Sequence, residues 1–248
     1  MTSRVLAVLD AFGPDDGGLS LAELCRRTGL APATAHRLVA ELVEWGGLER
    51  GDDQRYRIGL RLFEIGMRAP GRRSLTDAAL PFLEDLYEVT HENVHLAVRA
   101  GHHAIYLHKI TGLRAVGAPS RQGHRLPLHA TGMGKALLAF AEPRLAEDVI
   151  GEGLTRYTPH TITSPELLRR ALAQTRRRGF AVAAQEYSLG TVSIAAPILV
   201  PRSEHALAAI SVVVHSSRAN IARLGPAVRT AAMGAARHAA HLPTHPWK

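Results

Sequence analysis

Apolar residues along this 248-residue chain recur at two spacings, and each change of spacing marks a change of element. Val5, Leu6, Val8, Leu9 and Phe12 share one face at helical spacing. After the loop 13–18, rich in Gly and Asp, the helical period returns at Leu21, Leu24 and Cys25, and again over 32–45. There Ala35, Leu38, Val39 and Leu42 form an inward stripe, while Ala33, Thr34, His36, Arg37 and Ala40 lie elsewhere on the helix. The period then drops to two: Tyr56 and Ile58 alternate with Arg55 and Arg57, the pattern of a half-buried strand, and 48–58 reads as a hairpin. Leu60, Phe63 and Met67 begin another helix that ends near Arg68, and 69–73 (Ala-Pro-Gly-Arg-Arg) is the natural break in the chain.

Beyond the break, the pattern predicts a helix over 75–89, with Pro81 a kink or a late start. Strands follow at 94–98, 104–110, 114–118 and 125–128, then a turn at 129–134 running into a helix. Ser164-Pro165-Glu166 opens a helix that Gly179 stops; strands at 180–184, 191–199 and 206–214 follow, the last two joined by a turn at 201–204. A helix over about 220–241 closes the chain. Helices at both ends of a largely antiparallel sheet make an α+β domain. The expected division is 1–62, a linker helix and hinge at 63–74, and a second domain at 75–248.

Local signals sharpen the first part. Ser20 followed by Glu23 is a capping box, two reciprocal bonds that satisfy orphan N–H groups at a helix start. Gly29 suits a left-handed helix end, and Pro32 suits the first turn of the next helix, where its missing N–H would be unpaired in any case. Two helices joined by a short turn with Gly form a helix-turn-helix, here over about 20–39, and the following hairpin is a wing. Residues near the start of such a second helix meet base edges in the major groove of double-stranded DNA. That singles out Ala33, Thr34, His36 and Arg37, with Arg26, Arg27, Arg55 and Arg57 placed for phosphate. A bare helical packing module with no nucleic acid is the competing reading.

Charge complicates the picture. The net charge is +8, but residues 1–69 carry nine arginines and no lysine against ten acidic residues, and the excess of cations lies in 70–248. DNA binding must then rest on where the arginines point, and one copy should bind weakly, since phosphate contacts set a large share of affinity. The run Arg176-Arg177-Arg178 ends a helix, where cations are favoured, and reads as solvated. A single Cys25 excludes an internal disulfide and fits a reducing compartment. No targeting segment is visible, and the apolar runs at 194–200 and 206–214 are too short to cross a membrane, so a cytoplasmic protein is expected.

At this point the chain resembles the IclR family of bacterial transcriptional regulators. One half of the resemblance is the winged module. The other is Arg125-Leu-Pro-Leu-His-Ala-Thr-Gly-Met-Gly-Lys-Ala-Leu-Leu-Ala139, with Tyr157-Thr-Pro-His-Thr-Ile-Thr163, Arg178-Gly-Phe180, Glu186, Gly190 and Ser193-Ile-Ala-Ala-Pro197. The resemblance implies a GAF-like C-terminal domain that binds a small-molecule effector, and homodimers, often paired as dimers of dimers, on pseudo-palindromic operators. It implies that the amides of Gly132 and Met133 hold a carboxylate or similar group, and that Ala183, Ser193, Ser211 and Val213 line the pocket. The amides can be read physically as well, since N–H groups at a helix start are a ready anion site. Alanine at 183 cannot hydrogen-bond a small hydroxy or oxo acid, so the effector should be larger or less polar than glyoxylate or pyruvate: an organic acid or an aromatic compound.

Two motifs imitate other chemistry. His91-Glu92-Asn93-Val94-His95 matches the H-E-x-x-H zinc pattern, which works only on a helix, where both imidazoles share a face. Here it straddles an expected helix end and strand, so a zinc hydrolase is the rival reading and not the favoured one. Gly132-Met-Gly-Lys135 lacks the first glycine of a P-loop and has Ala136 where Ser or Thr would bind magnesium. No cofactor, no resident metal and no catalytic set is expected.

Overall fold

The computed structural model describes residues 1–13, 16–68, 72–113, 123–201, 203 and 205–242. The expected strand at 114–118, the hinge residues 69–71, Asp15, and Arg202 and Glu204 of the expected turn lie outside the described residues. Contacts divide the chain into two compact units, Met1–Ala69 and Pro70–Lys248. The division falls inside the span expected as linker.

The first unit contains α1 (Thr2–Asp10), α2 (Leu21–Thr28), α3 (Pro32–Trp45), a two-stranded antiparallel hairpin of β1 (Leu48–Arg50) and β2 (Tyr56–Ile58), and α4 (Leu60–Met67). The capping box is formed in full: the Ser20 backbone N–H donates to Glu23 Oε2 at 2.8 Å, and the Glu23 N–H donates to Ser20 Oγ at 3.3 Å. Such a cap contributes about 1 kcal/mol. Gly29 ends α2 with φ 69°, and its N–H reaches the Cys25 carbonyl. Val8, Leu19, Leu24, Leu38, Val39, Leu42, Leu48 and Tyr56 make the core. Leu19, just before α2, exchanges two backbone hydrogen bonds with Tyr56 and so ties the hairpin to the helices. The expected alternation on β2 holds only for Tyr56, because Ile58 is exposed. The strand ends there, and the chain leaves the hairpin for α4.

The second unit runs α5 (Arg72–Thr90), β3 (Asn93–Ala100), β4 (His103–Ile110), β5 (Arg125–Pro127), α6 (Gly132–Ala139), α7 (Pro143–Gly151), α8 (Pro165–Arg178), β6 (Ala181–Ala184), β7 (Thr191–Ile198), β8 (Ala208–His215) and α9 (Ile221–His238). Its sheet has the order β5-β4-β3-β8-β7-β6, and every neighbouring pair is antiparallel. Helix α5 begins before Pro81 and continues past it, so the late start expected as one alternative is not what forms. Pro81 removes one bond to the carbonyl of Asp77, and both residues are exposed, so water can satisfy it. Helix α7 was not anticipated, although Pro143 at its first turn and the buried Leu145, Ala146 and Val149 are its signals.

The two faces of the sheet carry different residues. Ile194, Ala196, Ile198, Ile210, Val212 and Val214 pack with Leu75, Leu83 and Leu86 of α5 and Val228, Ala232 and Ala235 of α9. The opposite face presents Ala97, Ala181, Ala195 and Ala209 toward α6 and α8. These small residues let α6 lie close to the strands, and every residue of α6 is buried.

Candidate nucleic-acid interface and ligand cavity

Helix α3 buries Ala35, Leu38, Val39 and Leu42, the stripe its period predicts. Ala33, His36, Arg37 and Ala40 are exposed and Thr34 is half-buried, so the face expected to meet base edges is open. The Arg37 side chain is 53% exposed and pairs with Glu41 one turn on, Nη1 to Oε1 2.6 Å. Arg26 and His36 are exposed and have no polar partner among the described residues.

The other three arginines expected at phosphate differ from one another. Arg57 holds Asp53 with two bonds, of 2.9 and 2.6 Å, inside the hairpin; that bonding keeps Asp53 down to about 2. Arg55 reaches back across the unit. Its Nε donates to the Gly18 carbonyl at 2.9 Å and its Nη2 to Glu23 Oε2 at 2.8 Å, so it fastens the hairpin onto the capping box. Glu23 is held at about 2, first by its bonds to Ser20 and then by Arg55. Arg27 donates to both Asp16 oxygens and to the Ala11 carbonyl. Arg27 and Arg55 thus tie the unit together while their side chains stay 38% and 40% exposed. Sequence could not show this, because Asp16 is 11 residues from Arg27 and Glu23 is 32 from Arg55.

In the second unit Thr131 caps α6: its Oγ1 accepts from the Gly134 N–H at 3.0 Å and donates to the Pro127 carbonyl at 3.0 Å. Gly132 and Met133 then take the first helical positions, whose N–H groups have no acceptor within the helix. A side chain at 132 would strike Ser193 Oγ at 2.6 Å, and one at 134 would strike Leu128 Cα at 2.5 Å. Glycine at both positions is what allows the helix start to rest on β7 and on the segment before it.

Beside this helix start lies a cavity of about 440 Å³, open solvent at its mouth included. Ala183, Ser193 and Val213 line it, and they are in register across β6, β7 and β8. Leu126, Ala130, Thr131 and Thr191 contribute further wall. Gly132, Met133 and Ser211, also expected here, are buried next to the cavity and do not border it. Ser211 sits two residues along β8 from Val213, and its buried hydroxyl has no hydrogen-bond partner among the described residues.

Wall residues not singled out as lining include Tyr106 on β4 and Glu186, Tyr187 and Ser188 between β6 and β7. The loop between β6 and β7 is held from outside. The Thr158 and Thr161 hydroxyls donate to the carbonyls of Gln185 and Glu186, each at 2.6 Å. Lys135, 2% exposed on α6, donates to Glu186 Oε1 and to the Val182 carbonyl, each at 2.6 Å. Burial pulls the Lys135 ammonium down and pushes the Glu186 carboxyl up, and each partner opposes the shift of the other. Behind Tyr106 stacks His95, ring centroids 4.7 Å apart, fully buried and held down to about 3 by burial and by Lys109.

The zinc pattern is taken apart by the same strands. His91 follows α5 with φ 54°, Glu92 forms a two-pronged pair with Arg218, and His95 lies inside β3. The two imidazoles do not share a helix face. Among the described residues no cluster of three or more His, Cys, Asp or Glu could hold a metal, and no helix is long and apolar enough to cross a membrane.

A helix-turn-helix with an open second helix, followed by a hairpin and carried on the same chain as an α+β unit with a cavity, defines a regulator of transcription. The chain belongs to the IclR family. The family's helix-turn-helix domain matches residues 2–52, and the bacterial transcriptional regulator IclR C-terminal domain matches residues 67–239. The chain is 36% identical over 236 residues to the HTH-type transcriptional regulator BhcR of Paracoccus denitrificans, covering 94% of this chain and 84% of that protein. It is 34% identical over 223 residues to the HTH-type transcriptional regulator XynR of Escherichia coli, covering 89% and 88%. Among solved structures, an IclR homologue from Microbacterium hydrocarbonoxydans complexed with 4-hydroxybenzoate matches with TM-score 0.89 and 34% identity, over 96% of this chain and 98% of that one. The fold is the family's: an N-terminal helix-turn-helix and a C-terminal α+β domain.

Proposed function

We propose that this regulator binds its operator through Ala33, Thr34, His36 and Arg37 of α3, with Arg26 and Arg57 on phosphate, and that an aromatic carboxylic acid in the second unit sets that affinity. The observation that carries the effector class is the cavity wall. Tyr106, Tyr187, Leu126 and Val213 offer aromatic and apolar surface, and Ala183 offers no hydrogen bond. An acid as small as glyoxylate would leave that surface unused, whereas a benzene ring covers it. The 4-hydroxybenzoate held by the Microbacterium homologue agrees with this class. The acid group turns to the start of α6, where Thr131 lines the cavity and the Gly132 and Met133 amides follow.

Regulation then means that the acid binds DNA-competent and DNA-incompetent states with different affinity. Fluorescence anisotropy on DNA flanking the protein's own gene tests it. Micromolar to millimolar benzoate-class acids should shift the DNA titration, and glyoxylate and pyruvate should not. The reverse ranking, or no shift by any aromatic acid, rejects the effector class.

The protein also acts as a homodimer through α4. That helix buries no residue within the first unit and exposes Leu60, Phe63, Ile65 and Met67, Phe63 at 62%. A second copy would cover this face and double the weak DNA contacts of one unit. Light scattering should give a dimer for the native chain and a smaller mass for Phe63→Glu; unchanged mass for Phe63→Glu would move the interface elsewhere.

A further inference from the structure

Helix α4 leaves the hairpin without a core of its own: no residue of Leu60–Met67 is buried within the first unit. Its direction is set where it begins, against the end of α3. Gly46 ends α3 with φ 81°. The Gly59 N–H donates to the Gly47 carbonyl at 2.9 Å, and the Leu60 N–H donates to Glu49 Oε1 at 3.1 Å. A side chain at 59 would run into the Gly46 carbonyl oxygen, so the two backbones meet there. Arg61 closes the joint. Its Nη1 donates to the Trp45 carbonyl at 3.0 Å, and its guanidinium lies 4.9 Å from the centroid of the Trp45 ring. Carbonyls in the last turn of a helix lack an internal donor, and the dipole there favours a cation. The indole face adds a cation–π attraction.

We infer that Arg61 is a positioning residue: by holding α4 at a fixed angle to α3, it sets the distance between the two reading helices of a dimer, and with it the half-site spacing that an operator must have. The inference rests on the dimer through α4 and on α3 as the reading helix, both proposed above, and adds the side chain that fixes their mutual geometry. In a two-fold dimer joined by α4, each reading helix is placed by the angle between its own α3 and α4. The spacing of half-sites on the duplex mirrors that placement. Two base pairs added between half-sites turn one of them by about 70° around the duplex and move it by about 7 Å, further than a stiff joint can follow. Without Arg61 the backbone bonds at Gly59 and Leu60 remain, but they hold a point and leave the direction of the helix free.

Competition binding of the full-length protein tests this, with the DNA fragment that the native chain protects beside its own gene and with versions lengthened or shortened by two base pairs at the centre. The native chain should prefer its own spacing by about tenfold or more, as expected when one half-site is misplaced. In Arg61→Ala that preference should fall to a few-fold, while affinity for DNA carrying a single half-site stays as in the native chain. Arg61→Lys keeps a donor for the Trp45 carbonyl and a cation over the ring, and should restore most of the preference. Trp45→Leu removes the ring and keeps the carbonyl, and should lose part of it even where Arg61→Ala folds poorly. Full native preference in Arg61→Ala, or no preference in the native chain, overturns the role of Arg61 and leaves dimerisation through α4 standing. A fall in single half-site affinity as large as the fall in preference also overturns it, since Arg61 would then support the reading helix alone. Light scattering separates the readings: Arg61→Ala should stay dimeric, and loss of the dimer would make Arg61 part of the interface and reject its positioning role. An unchanged mass for Phe63→Glu overturns the α4 dimer, and this inference with it; protection of no fragment rejects the operator reading itself.

Discussion

The two units handle charge in opposite ways. In the first, Arg37, Arg55, Arg57 and Arg27 each pair with a carboxylate at the surface, and two of the pairs are one helical turn or four residues apart. Exposed pairs of this kind are worth about 0–1 kcal/mol, so a phosphate can replace the carboxylate at little loss. In the second, Lys135, Glu186 and His95 are buried, and Lys135 pairs with Glu186. Losing one partner of such a pair costs far more than at the surface. The unit that meets a polyanion keeps its cations available, while the unit with the cavity uses charge to hold a shape.

Removing one member of each kind of pair should expose the contrast most sharply. Lys135→Met leaves Glu186 buried beside no cation, and loss of one partner of a buried pair costs about 3–5 kcal/mol. Urea unfolding followed by circular dichroism should show that loss, and Lys135→Met with Glu186→Leu should recover much of it. A single variant as stable as the native chain would mean that water reaches Glu186.

Acid should separate the units next. Unfolded His95 takes up a proton near pH 6.5, but folded His95 is held to about 3, so the unfolded state binds the extra proton between those values. Stability contributed by keeping His95 neutral is complete above about 6.5 and falls as pH drops toward 3, by about 1.4 kcal/mol per pH unit. His129 is also held down by burial and adds in the same direction. His95→Phe keeps a ring against Tyr106 and should flatten the pH dependence of unfolding free energy. An unchanged slope would assign the acid sensitivity to other groups.

Backbone approach differs as well. Gly134→Ala puts a methyl group 2.5 Å from Leu128 Cα and its carbonyl oxygen, with the Pro127 carbonyl as close, and backbone cannot yield as a side chain would. Overpacking there should cost about 1–3 kcal/mol, read as a lower unfolding midpoint, and should weaken effector binding by displacing Thr131. Gly17→Ala in the first unit meets nothing within 4 Å and serves as the control.

The same contrast explains what could be read without coordinates. The first unit was legible almost residue by residue, because its signals are local: Ser20 with Glu23, Gly29, Pro32, and the stripe Ala35, Leu38, Val39, Leu42. What the sequence did not show is the exposure of Ile58 and the pairing of Arg27 and Arg55 with carboxylates distant in sequence. In the second unit the strands and most helices followed from periodicity. The cavity did not. Ala183, Ser193 and Val213 came from family resemblance, and Tyr106, Tyr187 and Ser188 from neither source. Lys135 and Glu186 are 51 residues apart, and no periodic pattern ties a helix residue to a loop after a strand. The split H-E-x-x-H pattern was legible for the opposite reason: alternation at 94–98 already placed His95 on a strand.

The remaining tests concern the exposed pairs, where effects on folding are smallest. Arg37→Ala should change stability by no more than about 0.5 kcal/mol, yet lower operator affinity by about 1–3 kcal/mol and relax preference at one base position. Equal affinity across operator variants in native and Arg37→Ala protein would remove Arg37 from the base-reading set. Asp53 offers the finer probe. It occupies Arg57 with two bonds in a hairpin whose unit carries more acidic than basic residues. Asp53→Asn withdraws a negative charge from beside Arg57 and releases that arginine, so nonspecific DNA binding should tighten a few-fold at low salt if the hairpin meets phosphate. Stability should move by about 1 kcal/mol or less, as for any exposed pair. Arg57→Ala should do the reverse and reduce the slope of log affinity against log salt by about one. If both variants leave that slope and affinity unchanged, the hairpin does not touch phosphate, and DNA contact in this unit is confined to α2 and α3.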